Sequence, residues 1–98
     1  MKKHTADELQ AASLQGLLQR SGLTHLRVRR HGQLLIVESG PSDDPVSHVR
    51  FRRHGAHIWT LEIADHNDRW EPTPFREQIE RLFEIVQSDF PWTLEALT

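Results

Sequence analysis

Leu26-Arg27-Val28-Arg29-Arg30-His31-Gly32 returns as Val49-Arg50-Phe51-Arg52-Arg53-His54-Gly55, with Arg27 corresponding to Arg50, an offset of 23 residues. Each copy alternates apolar and basic side chains, ends in a glycine, and is followed by a second β-rich run, Gln33 to Ser39 and Ala56 to Ile63. Strict alternation is the signature of a strand with two unlike faces, and a glycine at its end marks a turn. The repeat therefore predicts two tandem β-hairpins.

A three-residue loop ending in a left-handed glycine fits both copies, with loops Arg30-His31-Gly32 and Arg53-His54-Gly55. Counting outward from the first loop pairs Arg29 with Gln33, Val28 with Leu34 and Arg27 with Leu35. The second pairs Arg52 with Ala56, Phe51 with His57 and Arg50 with Ile58. Because strand side chains alternate, one face is expected to carry Leu26, Val28, Leu34, Ile36, Val49, Phe51, Trp59 and Leu61. The other is expected to carry His25, Arg27, Arg29, His48, Arg50 and Arg52, with Leu35, Val37 and Ile58 among them.

Helices flank the hairpins. Thr5-Ala6-Asp7-Glu8 has the form of a capping box, opening a helix from about Ala6 to Arg20 with an apolar face of Leu9, Leu14, Leu17 and Leu18. Ser21-Gly22 is its stop. Near the C-terminus Thr73 serves as N-cap and Pro74 as first residue of a second helix. Phe75, Ile79, Leu82, Phe83, Val86 and Phe90 form its core stripe, Pro91 ends it, and Trp92 and Leu94 fold back to close the core. The fold class expected for residues 1–98 is thus a single α+β domain, a four-stranded antiparallel meander in the order α-β-β-β-β-α. Both helices should lie on one face, since helices on opposite faces would bury unpaired arginines at several kcal/mol per ion.

Charge narrows the function classes. The formal net charge is only −2, but residues 20–61 hold seven arginines against three acids, whereas residues 62–98 hold nine acids against three arginines. The sheet is expected to be basic and the C-terminal part acidic. There is no cysteine, so disulfides, thiolate metal sites and cysteine nucleophiles are excluded, in keeping with a reducing, cytoplasmic location. No apolar run is long enough to span a bilayer, and no signal peptide is legible.

Arg27, Arg29, Leu35, Val37, Arg50, Arg52 and Ile58 form the expected interaction surface. Arginine stems lying over apolar neighbours contribute about 0.2–1 kcal/mol per cross-strand pair, enough to explain the pattern with no ligand. Four arginines with no acid beside them from the first three strands repel one another, however, and call for an anionic counterpart. A protein partner, or a second copy of the chain, fits best because arginine and apolar residues mix at interfaces. Nucleic acid is the alternative, weakened by the inward placement of Phe51 and Trp59 and by the absence of tyrosine.

No cofactor or metal is expected. His54 and His57 straddle a turn and diverge, with His57 directed inward beside Phe51, and no third ligand converges on them. The Asp65-His66-Asn67-Asp68 loop is the remaining place for an enzyme or metal site. It lacks a nucleophile, and Arg69 spoils a calcium-loop pattern, so it is taken as a turn. Glu38 is placed on the inner face at a frayed strand end, partly exposed. No phosphate loop, nucleophile elbow or zinc-protease motif, and no motif of a known family, is legible. The chain is accordingly expected to be a non-enzymatic interaction module.

Overall fold

A computed structural model describes residues 6–65, 67 and 69–95. It contains α1 (Glu8–Arg20), β1 (Arg27–His31), β2 (Leu34–Ser39), β3 (Val46–Arg53), β4 (Trp59–Ala64), β5 (Trp70–Glu77), α2 (Ile79–Asp89) and a 3-10 turn (Pro91–Leu94). The α+β class and the antiparallel meander hold, but the sheet has five strands in the order β1-β2-β3-β4-β5, one more than expected.

The extra strand occupies the stretch expected to open the second helix. Glu71 and Thr73 each precede a proline, whose ring disfavours helical backbone in the residue before it. Two such steps in succession hold residues 71–74 extended, and α2 starts only at Ile79, with Gln78 as an N-cap that makes no side-chain bond. Phe75 accordingly joins the core from β5 instead of from the helix. Prolines are tolerated here because β5 is an edge strand, and they leave that edge a poor template for a further strand.

The opposite edge is closed by a side chain. Gln15 of α1 donates from Nε2 to the Leu26 carbonyl (3.1 Å) and accepts at Oε1 from the Val28 N–H (2.9 Å), so its amide takes the place of a sixth strand. The capping box of α1 is built from Asp7 and Gln10; the Thr5 of the expected box lies outside the described residues. The helix ends in a Schellman motif, with Gly22 at φ 77°, its N–H on the Gln19 carbonyl and the Leu23 N–H on the Leu18 carbonyl. Leu9, expected in the core stripe, is 80% exposed.

One continuous core joins Leu14 and Leu18 of α1 and Ile79, Leu82, Phe83 and Val86 of α2 to Leu35, Val37, Val49, Phe51, Trp59 and Leu61 of the sheet. Both helices therefore cover the same face. Leu94 of the 3-10 turn is buried with them, whereas Trp92 is 62% exposed and does not close the core.

The registers differ from those counted from the glycines. The β1–β2 pairs are Arg27 with Glu38, Val28 with Val37, Arg29 with Ile36, Arg30 with Leu35 and His31 with Leu34, which leaves a two-residue turn at Gly32-Gln33. Gly32, at φ 58°, is the first central residue of that turn, where two-residue hairpins that match the strand twist demand positive φ. The shift is odd, so it turns β2 over: Leu35 and Val37 face the helices, and Leu34, Ile36 and Glu38 join Arg27 and Arg29. In the second hairpin Phe51 pairs with Leu61 and Arg52 with Thr60, across a five-residue loop, His54–58. That shift is even, so Val49, Phe51, Trp59 and Leu61 keep their expected face. Gly55 does not adopt positive φ; the loop is held instead by the His54 and Gly55 N–H groups on the Ile58 carbonyl and by Arg53 Nε on the Gly55 carbonyl.

Candidate functional site

The sheet face that neither helix covers is the candidate interface. Two rows cross it, Arg29-Ile36-Arg50-Glu62-Pro72 and His31-Leu34-Arg52-Thr60-Arg76, and Arg27 with Glu38 starts a third. Leu34 and Ile36 are 9% and 5% exposed, yet they stand outside the helix-side core. In the rows Ile36 stands between Arg29 and Arg50, and Leu34 between His31 and Arg52, so the aliphatic stems of Arg29, Arg50 and Arg52 supply most of the cover.

The guanidinium groups are not left to repel one another. Arg27 Nη2 lies 2.9 Å from Glu38 Oε2 and Arg29 Nε lies 2.7 Å from Glu38 Oε1, so one carboxylate serves two arginines. A second carboxylate does the same across β3 and β4, where Glu62 accepts from Arg50 Nε and lies 3.5 Å from Arg52 Nη2. Glu38 is only 2% exposed, far more buried than a frayed strand end would be, because Arg27 and Arg29 lie over it. The Arg50 guanidinium also stacks 4.3 Å from the centre of the Trp70 ring, a cation–π contact that joins β3 to β5.

Of the expected surface residues, the structure brings Arg27, Arg29, Arg50 and Arg52 to one face. It does not bring Leu35 or Val37 there; they are 0% and 1% exposed in the core, the consequence of the odd register shift. Ile58 lies in the β3–β4 loop, 38% exposed, at the rim and not among the arginines. Counting from glycine missed Glu38, Glu62, Trp70 and Arg76. Glu62 was separable only by its strand: a division of the chain at residue 61 assigned it to the acidic half. Trp70 and Arg76 were hidden with β5.

The histidines divide into two sets. His48 is the extra residue where the β2–β3 register shifts, and it turns away from the arginine face. Its Nδ1 lies 2.7 Å from the Thr93 carbonyl and its Nε2 2.8 Å from Ser39 Oγ, while His25 Nε2 lies 2.8 Å from the Leu94 carbonyl. Two imidazoles, edge to face at 6.5 Å, thus hold the 3-10 turn against the sheet. Burial pushes the His48 pKa below the ordinary 6.5, with His25 adding repulsion and the Thr93 carbonyl opposing both. His54 Nε2 lies 2.9 Å from Thr60 Oγ1, and desolvation, then Arg76 and Arg52, lower its pKa. His57 is exposed, not inward beside Phe51, because Leu61 takes the position opposite that ring.

In the loop after β4, Asp65 Oδ1 accepts from the N–H groups of Asn67 (2.8 Å) and Arg69 (3.0 Å), which is turn chemistry. His66 and Asp68 lie outside the described residues. Among the described residues no three His, Asp or Glu side chains converge on a point that could hold a metal ion, and no helix is long and apolar enough to cross a membrane. Comparison with protein-family models, with curated proteins and with solved structures finds no match for this chain.

Proposed function

We propose that the chain is a non-enzymatic, cytoplasmic protein-interaction module that binds an acidic surface of a protein partner through Arg27, Arg29, Arg50 and Arg52. The observation that carries this reading is the fixed presentation of these four side chains on the uncovered face, stems over Leu34 and Ile36 and heads tethered by Glu38 and Glu62. A tethered arginine has already lost the rotamer freedom that association would otherwise cost, about 0.5–1.5 kcal/mol per side chain. With Arg76 the face holds five arginines against two glutamates, an excess that favours an acidic counterpart. Strand addition is the less favourable route, since Gln15 occupies one edge and Pro72 and Pro74 interrupt the other. Leu35 and Val37 have no part in the contact. Ile58 could take part only at its rim.

Aromatic placement weighs against nucleic acid as the partner. Bases need open rings to stack on, whereas Phe51 and Trp59 are buried in the helix-side core and the Arg50 guanidinium lies over the Trp70 ring.

The test is charge reversal at the more exposed arginine of each pair that shares a carboxylate, Arg29→Glu with Arg52→Glu. A discrete partner captured by the parent protein in fixed stoichiometry should be lost by the variant and retained by Leu9→Ser, an exposed change remote from the face. Oligonucleotide binding that falls by orders of magnitude between about 50 and 200 mM salt would replace this reading with the nucleic-acid one. Assembly of the chain with itself, seen by light scattering and abolished by the same reversal, would make the partner a second copy.

A further inference from the structure

A groove of about 620 Å³ lies at the end of the sheet where β3 begins, bounded by the β2–β3 connection, the start of β5 and the 3-10 turn. It is separate from the arginine rows, although Trp70, on which Arg50 stacks, lines its side. We propose that this groove is a docking site for a basic segment of a partner polypeptide, an apolar side chain seated on Trp92 and Val46 and a lysine or arginine set between Asp44 and Glu95.

Three observations converge on it. The first is the state of Trp92. Its indole is 62% exposed, and Val46 on the facing strand is 38% exposed. Yet the turn that carries Trp92 is clamped through the Thr93 and Leu94 carbonyls by His48 and His25, and the Phe90 ring packs edge-on against it at 5.7 Å. An indole held out toward water by a fixed backbone keeps its apolar area available, and covering it returns about 25 cal/mol per Å² with little ordering cost. Tryptophan is one of the residues most enriched among interface hot spots.

The second is charge. Among the described residues no lysine or arginine lines the groove. The Asp44 and Glu95 side chains make no ion pair or hydrogen bond among the described residues, and His48 at the floor is biased toward its neutral form by burial. Carboxylates beside indole rings favour a cation twice, by direct attraction and through the ring faces.

The third is shape. Small-molecule sites enclose most of their ligand, about 70–90% of its surface. Here the wall at Trp92 stands open to solvent, which suits a chain lying across the groove and placing alternate side chains downward.

Binding of a short fluorescein-labelled peptide alternating arginine or lysine with leucine and valine, read by anisotropy, tests the proposal. The peptide should bind, and its counterpart with glutamate in place of each cation should not. Trp92→Ala, and separately Asp44→Lys with Glu95→Lys, should each weaken binding by about tenfold or more, as loss of an interface anchor does. All these positions are exposed, so circular dichroism should show the fold unchanged; if Trp92→Ala fails to fold, the charge variant decides alone. Arg29→Glu with Arg52→Glu should not weaken this binding, which keeps the result independent of the arginine face. The proposal is overturned if the cationic peptide does not bind, if the groove variants bind it like the parent, or if arginine amide competes as well as the peptide mole for mole. Self-association lost in Trp92→Ala would overturn it as well, since the occupant would then be a second copy.

Discussion

The two faces of this sheet are buried by different means. On one, Phe51, Leu61, Val37 and Val49 pack against Leu14, Leu18, Leu82 and Val86, and the cover consists of helices whose own backbone bonds hold them in shape. On the other, Leu34 and Ile36 are almost as inaccessible, but their cover is a layer of arginine stems with Glu38 and Glu62 holding the heads in place. A helix lid is rigid. An arginine lid is a set of flexible chains pinned at their ends, able to collapse over a deletion and able to trade their carboxylates for a partner's. The inner strand β2 is covered on both sides, and all of Leu34, Leu35, Ile36, Val37 and Glu38 are buried in consequence.

Truncation on each side should measure that difference in rigidity. Phe51→Ala should cost about 3–5 kcal/mol, since a fully buried ring removed from between sheet and helices leaves a cavity that those elements cannot close. Ile36→Ala should cost about 2 kcal/mol, the low end for an isoleucine, because the stems of Arg29 and Arg50 can settle into the space. Denaturant midpoints at unchanged slope give both values. Equal costs, with each near the cavity-limited figure, would mean that the arginine layer is as stiff as the helices.

The pins of the lid are the next target. Glu38→Gln should cost about 1–3 kcal/mol, since two guanidinium groups lose their shared counter-charge while remaining partly solvated. Glu62→Gln should cost less, because Glu62 is 15% exposed in its side chain against 3% for Glu38, and water replaces the lost pairing more easily. If the order is reversed, burial is not what sets the strength of the pins.

Much of the arginine face is legible in the chain, and the part that is not has a definite cause. In Arg27-Val28-Arg29 and in His48-Val49-Arg50-Phe51-Arg52 polar and apolar residues alternate, so facing could be read directly, and it is what the structure has except at His48, displaced by the bulge. Leu34-Leu35-Ile36-Val37 offers no alternation, because both sides of β2 are buried, and such a run accepts either register. The choice then fell to the turn, and placing Gly32 at the end of a three-residue loop instead of at the start of a two-residue one reversed the strand. That one assignment moved Leu35 and Val37 to the wrong face and hid Glu38 from the arginines. β5 was lost for a different reason: prolines are signals of loops and helix starts, and only its place at the sheet edge lets Trp70–Glu77 carry two of them.

Acid should loosen the helix side through the buried His48 and, to a smaller extent, the loop beside the arginine face through the exposed His54. His48, pushed below its ordinary pKa of 6.5 chiefly by burial, contributes stability that is full above that value and is lost as the pH falls through it toward the lower folded pKa, because the unfolded chain takes up the proton first. Protonation keeps the Nδ1–H bond to the Thr93 carbonyl, but it turns Nε2 from an acceptor of the Ser39 hydroxyl into a donor and charges a ring packed against His25, so the loss should appear as a lower denaturation midpoint. Below that window the effect levels off. His48→Gln should remove most of this limb of the pH–stability curve, leaving the smaller part due to His54; if the curve is unchanged, His48 is not the group that carries it.

The smallest effect tests the register itself. Gly32 has positive φ with nothing within 4 Å of an added Cβ, so Gly32→Ala meets no clash and should cost only the backbone penalty, about 1 kcal/mol. Gly55 lies outside the left-handed region, and its nearest neighbour, the Ile58 Cβ at 3.8 Å, leaves room for a methyl. Gly55→Ala should therefore be neutral, or slightly stabilising through the lower entropy of the unfolded chain. Two glycines in the same Arg-His-Gly context would then respond differently, because one opens a two-residue turn and the other sits inside a five-residue loop. Similar losses at both positions would restore matching three-residue turns, return Leu35 and Val37 to the arginine side, and dissolve the contrast between the faces.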